Sequence, residues 1–218
     1  RDSQITEGRE ARQVADEAEA EVLETVHRLP GGGDISIEQT RALVSVDVDI
    51  GERKGNDVKR VTRRANLAAL STAARLLRLK GMVGIVVFDL VGRGHDGNAL
   101  LTAARAAFGP DNPGVAIGPV GRFGTMEMTI PRRTTPLRDI LCDAGGGLSD
   151  RTLALRLIRA IETEAASQPG ARLAATCAPA VAAAAGPLAE RLAGKIGARF
   201  SIQPEDALRR DRFEVKAL

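Results

Sequence analysis

The seven residues Val44-Ser45-Val46-Asp47-Val48-Asp49-Ile50 alternate apolar and polar side chains without a break. A period of two belongs to a strand with one face in a core and the other outside it. The valines and Ile50 therefore face one way, and Ser45, Asp47 and Asp49 the other. A second run, Ile85-Val86-Val87-Phe88-Asp89, is continuously apolar and tipped by an acid; it predicts a strand buried on both faces. Between them Val61, Ala65, Ala68, Ala69, Thr72, Ala73, Leu76 and Leu77 recur at helical spacing up to Leu79, and Gly81 ends the run. Strand, helix and strand in this order predict an α/β layered unit.

The remaining pattern extends that unit and adds a second. Ala11, Val14, Ala15, Ala18, Val22 and Val26 predict an amphipathic helix from Arg9 to Arg28, ending near Pro30. A helix is expected from Asp96 to Phe108, a short strand at Val115 to Ile117 and another from Phe123 to Ile130. Pro131, Pro136 and Gly145-Gly146-Gly147 mark residues 131–150 as a linker. Beyond it a helix from Leu153, strands at Ala171 to Cys177, Ala198 to Ile202 and Phe213 to Val215, and an Ala-rich helix from Val181 to Ile196 predict a small α/β domain over residues 151–218. The first domain is expected over residues 1–130.

Charge is unevenly spread. Residues 51–80 hold nine bases against Glu52 and Asp57, whereas residues 1–30 hold eight acids and four bases. A basic stretch of this density attracts polyanions, and its alternative is a solvated helix face. Phe88, Phe108, Phe123, Phe200 and Phe213 are the only aromatics and are scattered, so nucleic-acid contacts are expected mainly at the backbone. No apolar run is long enough to span a membrane. Cys142 and Cys177 cannot form a disulfide framework, and Arg1-Asp2-Ser3-Gln4 lacks a signal-peptide pattern. A reducing, cytoplasmic setting is expected, and the absent initiator Met suggests a fragment or a processed product.

Asp47 and Asp49, two apart on a strand, share a face, and Asp89 tips another strand. If the strands are neighbours, carboxylates converge, and a hard oxygen cluster without His or Cys favours Mg²⁺ or Mn²⁺. Capping of turns or pairing with Arg is the alternative use of such acids. His27 and His95 have no Cys or acid at ligand spacing, which excludes a sequence-encoded zinc motif or His-based triad. Gly145-Gly146-Gly147 lacks the Lys-Ser/Thr of a phosphate-binding loop.

Ordered along the chain, three segments resemble the catalytic region of the RNase E/G family: Ile35 to Asp49, Asn66-Leu67 with Ala73 to Asp89, and Arg122-Phe123-Gly124-Thr125-Met126-Glu127-Met128. The resemblance implies a DNase-I-like catalytic subdomain followed by a small domain used in oligomer contacts. It implies an endoribonuclease in which Asp47 and Asp89 hold Mg²⁺, Asp49 assists, and single-stranded RNA is hydrolysed to leave a 5′-phosphate and a 3′-hydroxyl. Arg53, Lys54, Arg63, Arg64, Arg78, Lys80, Arg122 and Phe123 are then the candidate RNA contacts. Three departures stand out. Asp49 occupies an amide position, Gly92 the position of a further acid, and Cys142-Asp143-Ala144-Gly145 keeps one thiolate of the family's Cys-Pro-x-Cys link, so no zinc link is expected. No segment resembles the S1 domain or 5′-sensor; RNA binding would then draw on a separate S1-type polypeptide or an upstream domain, with homo-oligomerisation through other surfaces. A catalytically inactive RNA-binding or oligomerisation module of the same fold is the alternative.

Overall fold

A computed structural model describes residues 5–51 and 58–218. The chain is mixed α/β and divides into two compact units, one carrying Glu10–Arg138 and the other Asp139–Leu218. Among the described residues no helix is long and apolar enough to cross a membrane.

The first unit is built on six strands, β1 (Val26–Arg28), β2 (Asp34–Gln39), β3 (Val44–Asp49), β4 (Gly84–Asp89), β5 (Ala116–Val120) and β6 (Thr125–Ile130). They lie in the order β1-β2-β3-β4-β6-β5, and among the described residues only β3 and β4 of this sheet run parallel. A parallel pair needs a crossover. Helix α2 (Val58–Lys80) supplies it, flanked in sequence by α1 (Gly8–Leu23) and α3 (Gly97–Phe108). One face of the sheet is the core: Ile37, Val46, Phe88 and Met126 form a registered row across four strands, all buried with Leu70, Leu76, Leu77 and Phe108. Phe108 meets Phe88 edge to face, ring centroids 6.2 Å apart.

Two expectations are corrected. Residues Val26–Arg28 form β1 rather than the last turn of the first helix. Val22 and Val26 are spaced as a helix would have them, but β1 pairs with β2 through Val26 and Ser36, and His27, not Val26, faces inward. Strand β4 is buried on one face only, because Ile85 is 50% exposed and Asp89 lies at the surface. Its apolar run places Ile85 and Val87 on the open face, beside Thr129, Ser45 and Glu127.

The second unit packs α5 (Asp150–Ser167) and α6 (Pro179–Ile196) with a sheet of β7 (Leu173–Cys177), β8 (Phe200–Pro204) and β9 (Phe213–Ala217), ordered β8-β7-β9. Leu153, Leu157, Ile161, Leu173 and Val181 form its core. Part of the segment expected as a linker is ordered: α4 covers Leu137–Leu141, and a hairpin-like turn is closed by a bridge between Cys142 and Leu148. Arg210 fastens that turn through ion pairs to Asp143 at 2.8 Å and Asp150 at 2.6 Å. Cys142 and Cys177 are free thiols, Cys177 buried.

Candidate functional site

Strands β3 and β4 end side by side. Asp47 and Asp89 are register partners in the parallel ladder, so their backbones lie about 4.8 Å apart and their side chains leave the same face. The row continues on both sides as Val26, Ser36, Asp47, Asp89 and Thr125. Both aspartates are exposed on the face away from the core, at the carboxyl ends of the parallel strands, where open α/β sheets commonly present their ligands.

Electrostatics at the pair follow from like charges in one place. Burial against the sheet, with repulsion from Asp89 and then Asp49, raises the Asp47 carboxyl above the ordinary carboxylate range. Asp49 is turned aside. Its Oδ1 accepts the Gly51 N–H at 2.7 Å, so it caps the turn after β3 as well as adding charge. Among the described residues no group of three or more His, Cys, Asp and Glu side chains is disposed to hold a metal ion. Two carboxylates are nonetheless the usual protein share of a Mg²⁺ site, the remaining positions being water and phosphate oxygens. Asp47 and Asp89 fit that donor set, since a cation between them would offset the repulsion that raises Asp47.

The expected RNA contacts sort by geometry. Arg53 and Lys54 lie outside the described residues. Arg122 and Phe123 occupy the turn before β6, which is bonded to the end of β4 through Leu90 N–H and the Gly124 carbonyl at 3.2 Å. Phe123 is 78% exposed, with the Arg122 guanidinium 4.5 Å over its ring, so the turn carries one cation and one aromatic face beside Asp89. Arg63 pairs with Asp96 at 3.5 Å, both side chains more than half exposed. Arg64 lies against Gly31, its guanidinium within about a contact distance of where a Cβ would stand.

One expected contact is withdrawn from the RNA surface. Lys80 is 2% exposed; its Nζ donates to the carbonyls of Glu21 at 3.0 Å, Val22 at 2.9 Å and Glu24 at 2.5 Å. It closes the C-terminal end of α1, where four carbonyls have no partner within a helix. Arg78 pairs with Asp111 and, like the paired Arg63, stays exposed on α2. Periodicity could not separate Lys80 from the outward-facing bases, because the same basic stretch of α2 supplies both.

Sequence reasoning missed the clasp that fixes the loop after β4. Asn66, buried on α2, donates from Nδ2 to the Val91 carbonyl at 3.0 Å and accepts the Val91 N–H at 3.1 Å. Gly92 follows with φ +92°, and a Cβ there would stand 2.5 Å from Thr62 Cγ2. The residue in the place of an expected acid is thus a glycine required for close packing on α2. The run Gly92-Arg93-Gly94, three residues past the acid-tipped strand, was the available signal: glycine is the usual residue where the backbone takes a positive φ or approaches another element closely.

Comparison with known proteins follows the same residues. The sequence matches the profile of the Ribonuclease E/G family over residues 6–133. Ribonuclease E of Haemophilus influenzae is 31% identical over 148 residues, covering 63% of this chain and 16% of that protein. Ribonuclease E of Escherichia coli is 31% identical over 148 residues, 63% of this chain and 14% of that protein. Ribonuclease G of Escherichia coli is 27% identical over 124 residues, 56% of this chain and 25% of that protein. The chain spans only a fraction of the length of these relatives.

Proposed function

Because the chain belongs to the Ribonuclease E/G family, we propose that it is an endoribonuclease that hydrolyses single-stranded RNA with Mg²⁺, or Mn²⁺, held by Asp47 and Asp89. The observation that carries this reading is the register of the two aspartates at the ends of adjacent parallel strands, on an open sheet face. A divalent cation bound there supplies charge neutralisation at the phosphodiester and a more acidic attacking water.

The chain's own residues account for the rest. Asp47 and Asp89 must be ionised to act, and burial against the sheet, followed by repulsion from Asp89, keeps Asp47 prone to take up a proton. Asp49 holds the turn after β3 through the Gly51 N–H and adds negative charge near Asp47. Arg122 draws the RNA backbone towards the pair, and the exposed Phe123 ring offers a base a stacking face. Arg63 and Arg64, on the first half of α2, add positive charge upstream of the same strand ends.

Cleavage of a labelled A/U-rich single-stranded RNA tests the proposal. Cutting that needs Mg²⁺, stops with EDTA and is lost in Asp47→Asn and Asp89→Asn is the expected result. RNA retention without cutting would instead indicate a binding module of the same fold.

A further inference from the structure

The clasped loop after β4 does more than cover α2. Between the first turns of α2 and residues Gly92–Asp96 lies a cavity of about 790 Å³, bounded on the far side by the start of α3. Its size falls in the range of pockets that take a nucleotide-sized ligand. Lys59 and Arg63 reach it from α2 and Arg93 from the loop, while Leu67, Ala99 and Leu100 supply an apolar wall. Asp96 is occupied twice over, accepting the Ala99 N–H at 3.1 Å as the cap of α3 and pairing with Arg63.

Two features make this a prepared cavity rather than a gap beside a mobile loop. The paired hydrogen bonds of Asn66 to Val91 and the packing of Gly92 on Thr62 hold one wall against the other. His95, which also lines it, has a buried Nε2 that makes no hydrogen bond among the described residues. That atom lies 3.3 Å from where a Cβ on Gly124 would be, so the ring sits between the cavity and the Arg122–Gly124 turn. Gly92 is three residues after Asp89, a span of about 10 Å at most. Along the chain the cavity wall thus begins three residues beyond the Asp89 end of β4.

We propose that this cavity is a nucleotide subsite for the RNA chain beside the cleaved bond. It takes a phosphate on Lys59, Arg63 and Arg93 and lays the attached nucleoside on the wall formed by Leu67, Ala99 and Leu100. The inference rests on RNA being the substrate, and it adds a second point of grip that fixes the strand relative to Asp47 and Asp89.

Binding without cleavage tests it. Anisotropy of a fluorescein-labelled A/U-rich oligoribonucleotide, in EDTA and over a salt series, compares wild type with the Arg63→Ala/Arg93→Ala double variant and with Arg105→Ala, an exposed charge on α3 outside the cavity. Losing the grip on the one phosphate lowers the slope of log affinity against log salt by about 0.7 for a single strand, so wild type loses about 2.6-fold more affinity than the double variant between 50 and 200 mM salt. Adenosine 5′-monophosphate should displace the RNA from wild type at lower concentration than inorganic phosphate, and the difference should vanish in the double variant. An unchanged slope in the double variant, an equal change in Arg105→Ala, or equal displacement by phosphate and the nucleotide overturns the subsite. Circular dichroism melts establish that the variants are folded. Cleavage is read separately: active enzyme with an unchanged slope refutes the subsite alone, while a changed slope without cleavage refutes the nuclease assignment alone.

Discussion

Replacing Lys80 by Met keeps most of the aliphatic stem and deletes the ammonium. Three carbonyls at the end of α1 then lose their donor. A buried acceptor left without a partner costs about 1–3 kcal/mol. The bond to Val22 is buried, whereas those to Glu21 and Glu24 are partly buried and open to replacement by water. The total is therefore about 2–4 kcal/mol, less than three full penalties. With a urea slope of about 1–3 kcal/mol per molar, the midpoint should fall by about 1–2 M. The chain has no Trp or Tyr, so unfolding is followed by far-ultraviolet circular dichroism, with hydrogen exchange at the α1 amides to localise the loss. Burial pulls the Lys80 ammonium from 10.5 down to about 8. The unfolded chain then holds that proton more tightly, so wild-type stability rises with pH between about 8 and 10.5 and is flat below 8 as far as Lys80 is concerned. Lys80→Met should lack this rise. A midpoint within about 0.3 M of wild type, or an identical rise in both proteins, would refute the reasoning.

Gly92→Ala should destabilise the first unit by about 2 kcal/mol, from a positive φ and the contact with Thr62 Cγ2; Thr62→Ser removes that methyl and should recover part of the loss, as read by thermal melts of the four proteins. Asp49→Asn removes one of the charges that raise Asp47, so the acid limb of the cleavage rate should move to lower pH; no shift, or a shift upward, contradicts the electrostatic account. The raised Asp47 also weakens the fold above its own pKa, so Asp47→Asn should melt at or above the wild-type temperature. Arg210 holds the Asp143 carboxyl below its ordinary 3.8, so any stability this pair contributes is present above that value and fades as pH falls through the lowered one. In Arg210→Met the Asp143 titration seen by NMR should return towards 3.8, with faster exchange at Gly145 and Gly147.

Where side-chain periodicity met a continuous core, the sequence was readable. The alternation over Val44–Ile50 predicted both the strand and the open face that carries Asp47, because a one-residue slip would bury the acids. Helix α2 was readable from its apolar stripe, and the elements of the second unit from theirs. Register between strands was not readable, since nothing in the sequence states that β4 lies beside β3 and sets Asp89 against Asp47. Val26 was misread because a short edge strand carries too few residues for its period to show. Lys80 was misread because a lysine buried to serve three carbonyls has the same local spacing as its surface neighbours. The cavity escaped because its walls come from α2 and from a glycine-rich loop, brought together by the contacts of Asn66 and Thr62.

Asp47 and Asp89 are proposed to form one metal-dependent site for RNA hydrolysis. Single-turnover cleavage of a labelled single-stranded RNA, in Mg²⁺ and in EDTA, with wild type, Asp47→Asn and Asp89→Asn, tests it most directly. Mg²⁺-dependent cutting that falls by orders of magnitude in each variant, while both still bind RNA and melt as folded proteins, is the expected result. Cleavage at the wild-type rate by either variant, or by wild type in EDTA, would contradict it.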